Sequence, residues 1–267
     1  ARLLAGTRVA LRHARVVAID PRRRLAMLAG GELLAYDELV VALGARGEAP
    51  LGEALTFRGH ADAQELRGLV DGVAEHAERG GSTDMVVVIP RGCGWPLAGY
   101  DIALMAREHL VAKGHGDRCR LRVVTAEAAP LADFGPEAGT SVTQTLTRAG
   151  VEIVTSADVT AFAWGLLRTA DGRAFDADRI VALPVTRGRA LEGLPMDPQG
   201  FVRCDAEGRV EGAPGGRVVG DAGTFPAKLG GTAVLQRNPA AASTARAPGG
   251  RTGAAGPPAQ PPPRAAG

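Results

Sequence analysis

The spacing of apolar residues changes several times along the chain, and each change predicts a different element. From Arg8 to Asp20, β-branched and polar residues alternate with the period of a half-buried strand or two, and Leu25 to Ala29 continues the pattern. Gly30-Gly31 predicts a hairpin turn back into Glu32 to Ala35. Leu39-Val40-Val41-Ala42-Leu43-Gly44-Ala45 does not alternate and reads as a buried strand ending at its glycine. Between Asp62 and Glu78 the period lengthens, with Leu66, Leu69, Val70 and Val73 at helical spacing and Asp62 as N-cap. Strand and helix patterns then take turns. Met85 to Ile89 is a continuous apolar run, Pro90 to Pro96 a tight loop, and Leu97 to Lys113 a helix with Leu97, Ile102, Met105 and Leu110 inward. Leu121 to Thr125, Gly139 to Arg148 and Val151 to Val154 follow as strand, helix and strand. This order predicts an α/β unit of the doubly wound, Rossmann-like kind. Val159 to Arg168 and Arg173 to Phe175 read as an antiparallel pair turned at Asp171-Gly172. Ile180 to Leu183 and Gly200 to Val202 are further short strands.

The richest stretch comes late, at Val218-Val219-Gly220-Asp221-Ala222, followed by Pro226, Lys228 and Gly230-Gly231-Thr232-Ala233. It reads as a strand tip bearing an acid, a loop, and a helix start. A carboxylate there can accept from a sugar or ribityl hydroxyl, and free N–H groups around Gly231 to Ala233 can donate to a carbonyl oxygen. An ordinary strand–loop–helix connection with an Asp cap is the plainer reading of Gly-Asp alone. The loop Ile89-Pro90-Arg91-Gly92-Cys93-Gly94-Trp95-Pro96-Leu97 holds Gly92-x-Gly94-x-x-Leu97, which departs from GxGxxG. The third glycine of that motif allows close helix–strand packing, and Leu97 forbids the same approach. Glu127 follows the next strand and can take a ribose hydroxyl, although it lies farther on than the usual ~20 residues.

Composition narrows the field. Only 4% of the 267 residues are aromatic, so packing rests on Val, Leu, Ile and Ala. The net charge of +2 comes from the C-terminal end: four of the 31 bases fall in 237–267, which has no acid, leaving 27 bases against 29 acids elsewhere. That balance excludes a nucleic-acid footprint. Nearly every base is Arg, with Lys only at 113 and 228. Cys93, Cys119 and Cys204 show no metal-ligand spacing, and an odd count without a signal peptide predicts a reducing, cytoplasmic setting. No apolar run approaches the ~20 residues of a membrane span. From Arg237 onward, Pro- and Gly-rich sequence predicts a disordered tail.

Three stretches in order carry a family resemblance: Tyr36-Asp37-Glu38-Leu39-Val40-Val41-Ala42-Leu43-Gly44-Ala45, the unit from Met85 to Val154, and Gly220-Asp221 through Gln236. Together they resemble the pyridine nucleotide–disulfide oxidoreductase superfamily, in its type II NADH:quinone reductase-like and sulfide:quinone reductase-like branch. The resemblance implies an FAD-binding domain over 1–60 and 185–236, interrupted by an NAD(P)-type domain over 61–184, with the tail at 237–267. It implies FAD held by Gly44, Ala45, Gly220, Asp221, Ala222, Lys228, Gly230, Gly231, Thr232 and Ala233, with Asp221 on the ribityl chain and Lys228 near the flavin. Leu43 stands where the family usually has Thr. Gly92, Gly94 and Glu127 would serve NAD(P)H, should it bind.

The function implied is electron transfer from a reduced donor, with NAD(P)H foremost, through FAD to a quinone-like acceptor. Both partners would be small molecules, and any membrane-surface contact would come through parts outside this chain. A sulfide:quinone reductase-like enzyme is one alternative, with Cys93 carrying sulfur near Tyr100-Asp101; the default for Cys93 is a small packing residue, and for Tyr100 and Asp101 first-turn helix positions. The other alternative is a fragment that keeps the fold without FAD. The family opens on a strand–GxGxxG–helix unit that nothing before Tyr36 supplies. Arg237-Asn238-Pro239 also interrupts the helix expected after Gln236. The resemblance therefore implies a fragment, with a frame shift near Gln236 as one origin of the tail.

Overall fold

The computed structural model describes Gly6, residues 9–225 and Lys228; the expected tail and the stretch Gly230 to Ala233 lie outside these residues. The meander forms as the alternation predicts: β1 (Val16–Asp20), β2 (Leu25–Leu28) and β3 (Leu33–Ala35) pair antiparallel in sequence order. The next expectation needs correcting. The strand expected to run from Leu39 to Gly44 stops at Val41 as β4 (Leu39–Val41), and a separate, polar β5 (Ala45–Glu48) begins after Gly44 turns the backbone at φ +64°. Val41 is buried, whereas Val40 on the opposite face keeps 50% exposure. A short β6 (Leu55–Thr56) leads to α1 (Ala63–Glu78), which buries Val70, Val73, Ala74 and Ala77. Asp62 holds the N-cap position of α1 without capping it; its carboxylate accepts instead from the Arg58 N–H at 2.6 Å.

The doubly wound order follows as β7 (Thr83–Ile89), α2 (Leu97–Ala112), β8 (Cys119–Thr125), α3 (Pro136–Arg148) and β9 (Glu152–Val154). A second meander, β10 (Val159–Ala163), β11 (Leu166–Thr169) and β12 (Ala174–Asp176), then precedes β13 (Arg179–Ala182). The sequence predicted a single antiparallel pair there. It missed the turn at Trp164-Gly165, both at positive φ (52° and 75°), which splits the first strand in two and leaves Trp164 fully exposed.

The five-stranded sheet runs β6-β13-β7-β8-β9, parallel throughout. β7 lies at its centre, and Met85 through Val88 have no solvent exposure. Met85, Val87 and Ile89 pack with the helices, while Val86 and Val88 pack with the meander side, against Leu167, Ala177 and Ile180. An unbroken apolar run is what a strand covered on both faces requires. Toward the edge, Arg122 is buried with its Nε 3.0 Å from Glu152 and its guanidinium 5.2 Å from the Phe175 ring centre.

In α2 the inward line is Gly99, Ala103, Ala106 and Leu110, joined by Tyr100 and Ile102. Met105, expected inward, keeps 64% exposure because its side of the helix turns away from the sheet. The close helix–strand approach expected to fail at Leu97 is provided two residues later: a Cβ on Gly99 would lie 2.6 Å from Ile89 Cγ1.

Two further pairs complete the chain. β14 (Val185–Gly188) runs antiparallel to β5, and β15 (Gly216–Val218) runs parallel to β4. Beside them Ile19, Val41, Leu191, Leu194, Val202, Val210 and Val218 form a smaller core. The strand expected at Gly200 to Val202 is reduced to single bridges from Val202 to Met196 and to Gly223. No helix among the described residues is long and apolar enough to cross a membrane.

Gly99→Ala is expected to destabilise the protein by about 1–3 kcal/mol, since Ile89 is buried and overpacking is costly. Urea denaturation checks this, and an unchanged midpoint would mean the α2–β7 approach tolerates a methyl group.

Candidate functional site

Parallel pairing brings two distant parts of the sequence to one edge. Val41 and Val218 are register partners, and the Val219 N–H donates to the Val41 carbonyl at 3.0 Å. The segments that follow, Gly44-Ala45 and Gly220-Asp221-Ala222, therefore leave the same carboxyl end of the β4–β15 pair. Gly220 has φ +65° and opens a single 3₁₀ turn through Ala222. Ala222 is buried and bridged to Val202, which anchors the turn. Asp221 is half-buried and makes no hydrogen bond with a described residue. A Cβ on Gly44 would meet nothing within 4 Å, so that corner of the edge is open.

Lys228 connects this edge to the larger sheet. Its Nζ donates to the Gly223 carbonyl and lies 3.9 Å from the Phe201 ring centre. Burial pushes its pKa down, against the opposing charges of Asp221 and Asp197. Its backbone N–H donates to the Gly94 carbonyl at 3.3 Å. The expected flavin-side lysine and the expected dinucleotide loop are thus in direct contact.

That loop leaves the carboxyl end of β7, turning at Gly92 with φ +79°. The Cys93 N–H donates to Pro90 O at 3.1 Å and the Gly94 N–H to Thr186 Oγ1 at 2.9 Å. Pro96 has no N–H, and its carbonyl accepts from Gly99 at 3.0 Å. Burial pushes the Cys93 thiol up to about 11, opposed by the nearby Trp95 backbone N–H and helped by the Glu127 charge. The thiol is protonated at neutral pH. All three cysteines are free, and among the described residues no cluster of His, Cys, Asp or Glu could hold a metal ion.

Glu127 follows β8, and its Oε2 accepts from Tyr100 Oη at 2.5 Å and from Thr125 Oγ1 at 3.0 Å. Tyr100 is fully buried, and burial, followed by the Glu127 hydrogen bond, drives its pKa far up. It is a first-turn residue as expected, and also an interior donor that holds Glu127. Asp101 on the next position is exposed. Arg91 pairs with Asp158 at 2.7 Å across the loop mouth.

Two cavities flank residues 92–94. One, of about 280 Å³, is lined by Arg91, Pro96, Glu127, Asp133 and Phe134; the other, of about 210 Å³, by Thr186, Asp197, Phe201, Thr224 and Lys228. The structure thus assembles Gly44, Ala45 and Gly220–Ala222 at one edge, and Gly92, Cys93, Gly94 and Glu127 at another, with Lys228 between them. Sequence reading missed Thr186 and Phe201. Thr186 is 92 residues from the N–H it binds, so no local signal could have revealed it. Gly99, the small residue at the start of α2, was the available signal for the close packing.

A family model described as pyridine nucleotide-disulphide oxidoreductase matches residues 2–249. No curated protein matches the chain. Among solved structures, the sulfide:quinone oxidoreductase from the hyperthermophilic bacterium Aquifex aeolicus is similar with a TM-score of 0.68 and 17% identity, over 87% of this chain and 59% of that one. The reductase in a covalent putidaredoxin reductase–putidaredoxin complex gives 0.57 and 20%, over 86% and 56%. Bacillus anthracis CoADR-RHD in its reduced form gives 0.54 and 17%, over 91% and 45%. The chain thus spans between 45% and 59% of the length of these structures, and at such identities the likeness is one of fold.

Cys93 is expected to react with iodoacetamide at pH 7.5 roughly a hundredfold more slowly than an unperturbed thiol, because only the thiolate attacks. Peptide mass spectrometry over time measures this, and modification of Cys93 at the rate of a free thiol would contradict the burial assigned to it.

Proposed function

Because the chain belongs to the pyridine nucleotide-disulphide oxidoreductase family, we propose that it serves an FAD-dependent oxidoreductase passing electrons from a reduced donor to a quinone-like acceptor. The observation that carries this reading is the convergence of Gly44 and Asp221 at one strand edge, with the Asp221 carboxylate half-buried and without a hydrogen-bond partner among the described residues. A carboxylate held at a strand tip suits the hydroxyls of a ribityl chain, and backbone with φ above zero at Gly44 and Gly220 suits close approach by a dinucleotide. FAD bound there would supply the electron-carrying chemistry, while the protein contributes binding and orientation. In this reading Asp221 fixes the sugar chain and Gly44-Ala45 lie along the dinucleotide backbone. Lys228, tethered at Nζ to Gly223 and at N–H to Gly94, keeps the intervening loop in place.

Support for a quinone-like acceptor comes from the fold shared with an enzyme whose name specifies sulfide and quinone. Sulfide itself is the weaker half of that comparison. Cys93 is protonated, and an enzyme that carries sulfur on this cysteine would need it as a thiolate. The family's name makes a pyridine nucleotide the first donor to consider.

The folded chain is expected to retain FAD through desalting, with its flavin absorbance bands. Asp221→Ala should weaken FAD binding about tenfold or more, the value of a hydrogen bond to a charged group. A fluorescence titration reads both. A folded chain that takes up no FAD would make this domain pair a scaffold rather than a flavoprotein.

A further inference from the structure

The loop after β7 occupies the place where a doubly wound sheet binds the pyrophosphate of a dinucleotide. Such a site depends on backbone N–H groups that remain free beyond the second glycine and at the helix N-terminus. Here two of those donors are engaged and a third is missing. The Cys93 N–H is bound to Pro90 and the Gly94 N–H to Thr186, and residue 96 is proline. Leu97, which the sequence marks as the obstacle, is not the obstacle, because Gly99 restores the close packing.

Charge opposes the ligand independently. The cavity beside the loop is lined by the carboxylates of Glu127 and Asp133, and its one arginine, Arg91, is paired with Asp158. A doubly negative pyrophosphate would enter a crevice whose one arginine is paired and whose loop offers no free N–H at residues 93, 94 or 96. Glu127, the expected ribose acceptor, already takes two hydroxyl donors on one oxygen. The same bonds have a second effect. Gly94 is held by Thr186 through its N–H and by Lys228 through its carbonyl, and a Cβ there would lie 2.7 Å from Thr186 Oγ1 and 2.8 Å from Lys228 Cγ. The loop is a fixed wall that joins the larger sheet to the 220–228 element.

We propose that residues 90–97 of this chain are a structural clamp and not a pyrophosphate cradle, so that neither NADH nor NADPH binds the crevice after β7 and the reduced donor reaches the flavin without occupying this domain. The inference rests on the flavoprotein reading for the flavin but stands on separate residues.

The test is a titration of the folded, 15N-labelled chain with NADH and with NADPH, followed through the amides of Gly92, Gly94, Trp95 and Gly99. No shift up to about 1 mM is expected, in line with the loss of donors at residues 93, 94 and 96; saturable shifts at micromolar nucleotide would overturn the proposal. A Pro96→Ala variant adds an N–H at 96. It is expected to gain NADH affinity about tenfold, the worth of a recovered charge-assisted hydrogen bond. A variant that folds normally by circular dichroism yet gains nothing would overturn the assignment of the missing donor as the cause. FAD uptake, measured in parallel on both proteins, separates the two readings: its failure removes the flavoprotein function, whereas the nucleotide titration alone decides the clamp.

Discussion

A strand that shows neither face to water has to be covered twice, and β7 imposes that requirement on the larger unit. Burying Met85 through Ile89 contributes roughly 1.5–3 kcal/mol per side chain, provided both layers are present. The helices supply one layer through Tyr100, Ala103, Leu110 and Leu146, and the meander supplies the other through Phe162, Leu167 and Phe175. The central place of β7 in the sheet follows from this double cover. So does the placement of the loop at residues 90–96, which must leave from the carboxyl end of the most buried strand.

The smaller unit is organised differently. β4 and β15 are a two-stranded parallel pair, and parallel pairs are usually found within larger sheets covered on both faces. Only one face of this pair is packed, through Val41 and Val218, while Val40 on the other face stays half exposed. What the pair does achieve is proximity. It sets Gly44 beside Gly220-Asp221, and the polar bonds of Lys228 and Thr186 then tie that edge to the loop after β7. The two units are therefore joined by a few directed hydrogen bonds at Gly94, where their functional ends meet.

Much of this was legible in the sequence, and for definite reasons. Apolar runs such as Met85 to Ile89 have a length and lack of alternation that only a covered parallel strand uses, and the Gly-Asp after Val219 marks a strand tip. The failures are equally specific. Met105 lies at helical spacing with Ile102, but which flank of α2 meets the sheet depends on where Gly99 allows the helix to touch Ile89. The strand from Leu39 was expected to run to Gly44 but stops at Val41, because hydropathy alone does not show where ladder pairing with β15 ends. The loop motif pointed to a lost third glycine, and it gave no sign that the Cys93 and Gly94 N–H groups are already hydrogen-bonded. One of the acceptors is Thr186, a partner from another strand that no local pattern announces.

The chain contains two tryptophans, and the fold gives them opposite surroundings. Trp164 stands at the β10–β11 turn at φ +52°, bare to solvent, so its indole emits as it would in water whatever happens at the sheet edge. Trp95 belongs to the loop itself, 37% exposed and set edge-on to Phe134 with ring centres 5.7 Å apart. Any rearrangement of residues 90–97 changes the environment of one indole and leaves the other as an internal reference. The protein thus carries a built-in optical gauge of the rigidity of its central loop.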